Sequence, residues 1–264
     1  MRQLIKEKID QIYILTEKTG LDFDREVIHE FRVTVKALRS FLRLLRLHSD
    51  KKGLKMPGKF KRLYNIAGAL RETQLETDRM AGSKVVLHEY FNKQQHLLML
   101  QKNEWQKHYK KKIIKKLERK LMSVKYEALN PEVLQRFFTD CLAAVEQISK
   151  SKHASDEQVH RVRKKVKDIL YTSKLTAKKG KDAQSHMKVI PVKELNQLAE
   201  VIGQYNDERL TRQHLTSFSS PDMDAKETSA IKKICGNEKT RLELEKKKIL
   251  DMVKEMCTRN AQLL

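Results

Sequence analysis

Three features of this 264-residue chain predict an all-α fold. Glycine and proline are scarce, at 8 and 4 residues, while Lys, Leu, Glu, Gln and Ala, which lose little freedom in a helix, dominate. Apolar residues recur at steps of three and four and almost never alternate, as in HEFRVTVKALRSFLRLLR at residues 29–46. Each proline also stands at the head of a long periodic stretch, where its missing amide would have no partner in any case.

In chain order, the periodicity places a first helix over about residues 2–18, closed by Gly20. Its start, MRQLIKEKIDQIYIL, lacks the apolar core of a signal peptide. A second helix follows over about 24–48 and a third over 57–80, opened by Pro57 and set off by Gly53 and Gly82. Residues 84–122 read as one long helix. Its stretch KKKIIKKLERKL carries basic residues on several faces, the pattern of a solvated outer surface. Asn130 before Pro131 marks an N-cap for a helix over 131–150, and another covers 155–175. The polar segment TAKKGKDAQSHMK, residues 176–188 around Gly180, reads as a linker. Helices over 191–217, from Pro191, and 222–260, from Ser220 and Pro221, complete the chain.

A 39% hydrophobic content is enough for a packed core, so the chain is no disordered polycation. Its formal charge of +22 and pI near 9.8 point to an anionic partner: nucleic acid, an acidic membrane surface or a polyanion. Residues 1–130 carry the larger share of that excess. Cys141, Cys235 and Cys257 are far apart, odd in number and not at metal-ligand spacing. They fit small buried apolar side chains in a reducing cytoplasm, with no metal and no cofactor expected. No window approaches the ~18 apolar residues of a membrane span, so a soluble, cytoplasmic protein without a transmembrane segment is expected.

The sequence repeats itself. VIHEFRVTVKALRSF at 27–41 recurs as QVHRVRKKVKDILYT at 158–172, matching His29 with His160, Arg32 with Arg163 and Lys36 with Lys167. NIAGALRETQ at 65–74 recurs as EVIGQYNDER at 200–209, matching Gly68 with Gly203 and Glu72 with Asp207. Because a helical glycine costs about 1 kcal/mol relative to Ala, the paired glycines predict helices too close together for a side chain. Glu72 and Asp207, one turn later, either anchor a cation of the basic helix or make ordinary surface pairs.

A His-x-x-Arg-x-x-x-Lys helix followed by Gly-x-x-Arg/Asn-Glu/Asp, present twice, resembles the CHAD (conserved histidine α-helical domain) family. The likeness spans about residues 24–217 directly, and nearly the whole chain with the intervening helices. It implies a single domain over 1–264, built from repeat halves 1–125 and 130–264. It further implies two pseudo-symmetric four-helix bundles whose histidine helices line a shared basic groove or channel. Inorganic polyphosphate is the implied ligand, bound without catalysis, and association with polyphosphate granules would follow. Two positions depart from the pattern. Glu72 stands where Asp is usual, and Leu170 interrupts the second stripe where a further cation would continue it.

The basic residues suit such a ligand. His29, Arg32, Lys36, Arg39, Arg43 and Arg46 share one helix face and form a strip of about 26 Å. A row of cations matches a row of phosphates, with Arg supplying planar forked donors and Lys a compact charge. The candidate contacts are His29, Arg32, Lys36, Arg39, Arg43 and Arg71, together with His160, Arg163, Lys164, Lys167 and Lys174. Such rows repel themselves unless water, a carboxylate or a ligand compensates. The histidines either gain a proton beside an anion or orient neighbouring helices by hydrogen bonding.

Sequence-independent RNA or DNA binding is the alternative, which the charge also supports. Against it, aromatic residues make up only 6% of the chain, and none interleaves regularly with the cations as a stacking platform. A metal-dependent phosphohydrolase ranks third. Glu243, Glu245 and Lys247 form a Glu-x-Glu-x-Lys string, but in a helix Glu245 points away from Glu243.

Overall fold

The structure is a computed structural model that describes residues 1–49, 54–82, 87–151, 154–177, 192–218, 223 and 225–261. All regular elements among these residues are α-helices. They fall into two compact units, Met1–Leu129 and Asn130–Leu264. The punctuation read at Gly53, Gly180, Pro191, Ser220 and Pro221, and all but the start of the predicted linker, lie outside the described residues.

The first unit contains α1 (Arg2–Asp22), α2 (Arg25–Ser49), α3 (Gly58–Ala81), α4 (His88–His108) and α5 (Lys111–Met122). Helix α1 packs on α2 and α5, while α3 packs on α2 and α4. In α2 the core residues Ile28, Phe31, Val35, Leu38, Leu42 and Leu45 are all buried, at steps of 3, 4, 3, 4 and 3. The basic residues keep the same rhythm one position later, so they lie about 100° around the helix from the core face. Each such burial contributes about 1.5–3 kcal/mol, which ties the helix down despite its crowded charge. Phe31 stands edge-on to Phe60 and to Trp105, with ring centroids 6.4 and 5.7 Å away.

Two boundaries differ from the sequence reading. Helix α1 runs through Gly20 to Asp22, and the turn into α2 falls on Phe23, whose φ of 59° is left-handed. Its carbonyl accepts a 3.0 Å bond from Nε2 of Gln74, and its buried ring holds it in that strained conformation. The predicted single helix over 84–122 is broken at Tyr109 and Lys110, which are extended. The physical reason is a change of partner: α4 lies on α3, whereas α5 turns its apolar face to α1. Tyr109 fixes the break by stacking on Trp105 and donating its hydroxyl to Glu17 of α1. The first unit therefore has five described helices where four were expected.

The second unit contains α6 (Pro131–Ser149), α7 (Asp156–Ala177), α8 (Val192–Ser217) and α9 (Ala225–Ala261). Consecutive helices pack together, and α9 returns to α6. Asn130 caps α6 as its sequence predicts, its side chain accepting from the Glu132 amide at 2.8 Å with Pro131 in the first turn. In α7 the buried Val159, Val162 and Val166 again precede His160, Arg163 and Lys167 by one residue each. No helix among the described residues is long and apolar enough to cross a membrane. Cys141 is buried as expected, whereas Cys235 and Cys257 are half-buried.

Candidate functional site

In the first unit, α2 presents His29 and Arg39 exposed and Arg32, Lys36, Arg43 and Arg46 half-buried. Helix α3 faces them with Tyr64, Gly68 and Arg71, spaced 4 and 3 on one side. The guanidinium of Arg32 lies directly on Gly68: a Cβ built there would overlap its Nη1. The glycine thus makes room for a cationic side chain, which corrects the expectation that it serves the approach of two backbones. Tyr64 extends this seat, with the guanidinium carbons of Arg32 and Arg39 each 5.4 Å from its ring centroid.

Arg71 is largely enclosed, with a side chain 15% exposed. It donates to the Arg25 carbonyl at 3.3 Å and to Glu26 at 3.4 Å, which fixes the start of α2 against α3. Its charge reaches His29. Partial burial, then Arg71, Lys36 and Arg32, lower the His29 pKa below the ordinary imidazole value, with Glu26 opposing. Burial and these cations together therefore favour the neutral form of His29.

The second unit carries a parallel arrangement on α7. Lys164 and Lys174 are accessible, and His160, Arg163 and Lys167 are half-buried. Arg163 lies on Gly203 of α8, where an added Cβ would come 3.3 Å from Nη2. Its Nε is buried without an acceptor among the described residues, as expected for a guanidinium resting on backbone instead of a carboxylate. Lys167 sits 5.8 Å from the ring of Tyr171, one turn along the same helix. Burial, then Arg163 and Lys174, lower its pKa, with Glu200 opposing. Leu170, at the interrupted position, is 2% exposed and belongs to the core.

Within each unit, then, the predicted cations gather on one helical face against a glycine-bearing neighbour. Burial and, after it, repulsion from neighbouring cations lower the pKa values of His29 and Lys167. An anion laid along either face would relieve that repulsion and find forked and point-charge donors in a row. Sequence reasoning missed Tyr64, because the search for aromatics stayed within the basic helices. The available signal was the spacing of Tyr64, Gly68 and Arg71 on one side of α3.

The Glu-x-Glu-x-Lys string lies within helix α9, where Glu243 is exposed and Glu245 half-buried. Arg241 joins Glu208 at 2.7 Å and Glu245 at 3.7 Å. Burial and the neighbouring Glu208 raise the Glu245 pKa. Among the described residues no group of three or more His, Cys, Asp or Glu side chains is placed to hold a metal ion.

Residues 3–216 match a family model described as the CHAD domain. Among solved structures, the crystal structure of the CHAD domain from the plant Ricinus communis superposes with a TM-score of 0.73 at 15% identity. That likeness covers 97% of this chain and 90% of the plant chain. No curated protein matches the chain.

Proposed function

The chain belongs to the CHAD domain family, and from that premise we propose that its basic helical faces bind inorganic polyphosphate without catalysing its turnover. The observation that carries this reading is the arrangement found in both units, an arginine seated on a glycine within a row of cations on one helix face. A linear polymer of phosphates offers what those rows lack: regularly spaced negative charge without bases to be stacked or read. Arg32, Lys36 and Arg39 are the central contacts on α2, flanked by His29 and Arg43. Arg163, Lys164 and Lys167 are the contacts on α7, flanked by His160 and Lys174. Arg71 acts from behind, fixing the start of α2 against α3. The two halves represent one repeated binding element.

Competition between long-chain polyphosphate and single-stranded RNA at low and high salt tests the reading. If eight phosphates are engaged, log K should fall against log salt with a slope of about −6, at roughly 0.7 per contact. Polyphosphate binding that survives at salt concentrations where RNA is lost supports a shaped polyphosphate site. Affinities that fall together would transfer the reading to sequence-independent nucleic-acid binding.

A further inference from the structure

A second concentration of positive charge lies away from the α2 face, in the cleft between α1 and α5 of the first unit. Its walls include Arg2 and Lys6 from α1 and Lys115, Glu118, Arg119 and Met122 from α5. Helix α5 turns Ile113, Ile114, Leu117 and Leu121 inward. Their burial precludes insertion of its apolar side into a membrane and commits its basic side to solvent. The carboxylates at the cleft are already taken: the Lys6 ammonium bonds Asp10 at 2.7 Å and Glu118 at 2.6 Å. Those bonds hold the Lys6 pKa above its ordinary value. Arg2, Lys115 and Arg119 have no carboxylate partner among the described residues. Lys6 with its two carboxylates leaves one negative charge over, so Arg2, Lys115 and Arg119 keep the cleft net positive, and a concave surface focuses that field more strongly than an open helix would.

We propose that this cleft is an independent anion site for a compact, multiply charged phosphate, held by Arg2, Lys115 and Arg119. Within the cleft, Lys115 and Arg119 stand one turn apart, about 6 Å along α5, against about 26 Å for the row on α2. The ligand is correspondingly short: a condensed phosphate of a few units or the phosphate tail of a nucleotide, which share the same chemistry. The arginines supply forked donors to separate phosphate groups, Lys115 supplies a point charge, and Lys6 is turned aside by its two carboxylates. This site does not depend on the polyphosphate reading of α2 and α7.

The test is calorimetric titration of inorganic tripolyphosphate, at fixed ionic strength, into the full chain with Arg32, Lys36, Arg39, Arg163, Lys167 and Lys174 all replaced by Gln. Binding should persist there and weaken at least about tenfold on adding Lys115→Gln and Arg119→Gln, the expected loss of two charged contacts. The control pair Lys18→Gln and Lys55→Gln should leave it unchanged. No binding in the stripe-neutralised chain, or equal losses from both pairs, would overturn the site. In the unmutated chain tripolyphosphate should slow acylation of Lys115 several-fold and leave Lys18 unaffected. Unprotected Lys115 would overturn the proposal whether or not the multiple variant folds. ATP titrated in parallel assigns the source: tighter than tripolyphosphate means a nucleotide tail, weaker means a condensed phosphate, and both support the site.

Discussion

The α2 face of the first unit and the α7 face of the second use the same sequence pattern with different support. On α2 the aromatic ring comes from the neighbouring helix, and Tyr64 packs against Arg32 and Arg39 together. On α7 it comes from the same helix, with Tyr171 beside Lys167 alone, while Ala199 fills the place corresponding to Tyr64 and is buried. Behind the first face stands a positive Arg71. At the matching place behind the second is Asn206, whose amide donates 2.8 Å to the Ile202 carbonyl. The first face is thus held across two helices and the second mostly by one. Both units keep an arginine on a glycine, whereas the shell around it differs.

The sharpest way to break this contrast is to remove each row in turn. Replacing Arg32, Lys36 and Arg39 by Ala should weaken polyphosphate binding about a thousandfold at low salt, at about 1.5 kcal/mol per charged contact, with helicity intact. Replacing Arg163, Lys167 and Lys174 should cost no more than about a hundredfold, because the buried Leu170 interrupts that row. Equal losses measured by filter binding would make the two faces equivalent and remove the contrast.

The glycine seats separate the units next. Gly68→Ala must displace the Arg32 guanidinium, so affinity should drop about tenfold, one charged contact. The melting free energy should hold or rise by up to about 1 kcal/mol, since Ala favours the helix. A loss of stability in step with affinity would make Gly68 an ordinary packing residue. Gly203→Ala, with 3.3 Å available, should change affinity by about twofold at most, the neighbour yielding a few tenths of an ångström.

Proton linkage is a smaller effect. An anion on the α2 face raises the His29 pKa against the opposing influence of Arg71, Lys36 and Arg32, so binding takes up a proton. Affinity should strengthen a few-fold between about pH 8 and about pH 5.5, and His29→Gln should flatten that profile. Without ligand the sign reverses. The folded pKa lies below the unfolded value, so the neutral-His contribution to stability is present above the unfolded pKa and declines as pH falls toward the folded one. Smallest of all, Tyr64→Leu should weaken binding two- to fivefold and Tyr64→Phe hardly at all, since about 0.5–1 kcal/mol of cation–π attraction follows the ring and not its hydroxyl.

Much of this was legible in the chain, for identifiable reasons. Helix class and the sidedness of α2 and α7 follow from periodicity, because burial of every third or fourth residue is a property of one helix alone. The Asn130 and Pro131 start was equally local. What escaped depended on neighbours: the break at Tyr109 is dictated by which helices α4 and α5 lie on, and nothing in HYKKKII announces it. The left-handed Phe23 carries no glycine signature, and Gly20, which has one, lies inside α1. The repeated glycines were found, but the large flexible partner seated on each could be seen only with α2 beside α3 and α7 beside α8.

The order in which the helices pack has a consequence for biogenesis. In each unit the principal neighbours are consecutive in the chain, and a return contact closes the set, α5 to α1 in the first and α9 to α6 in the second. Such local wiring keeps loop-closure entropy low and favours rapid collapse. The first unit has every helix it needs once α5 has emerged from the ribosome, more than a hundred residues before α9 is complete. At about 5–20 residues per second that interval lasts on the order of ten seconds. A binding face can therefore assemble on the nascent protein while its counterpart has yet to be translated.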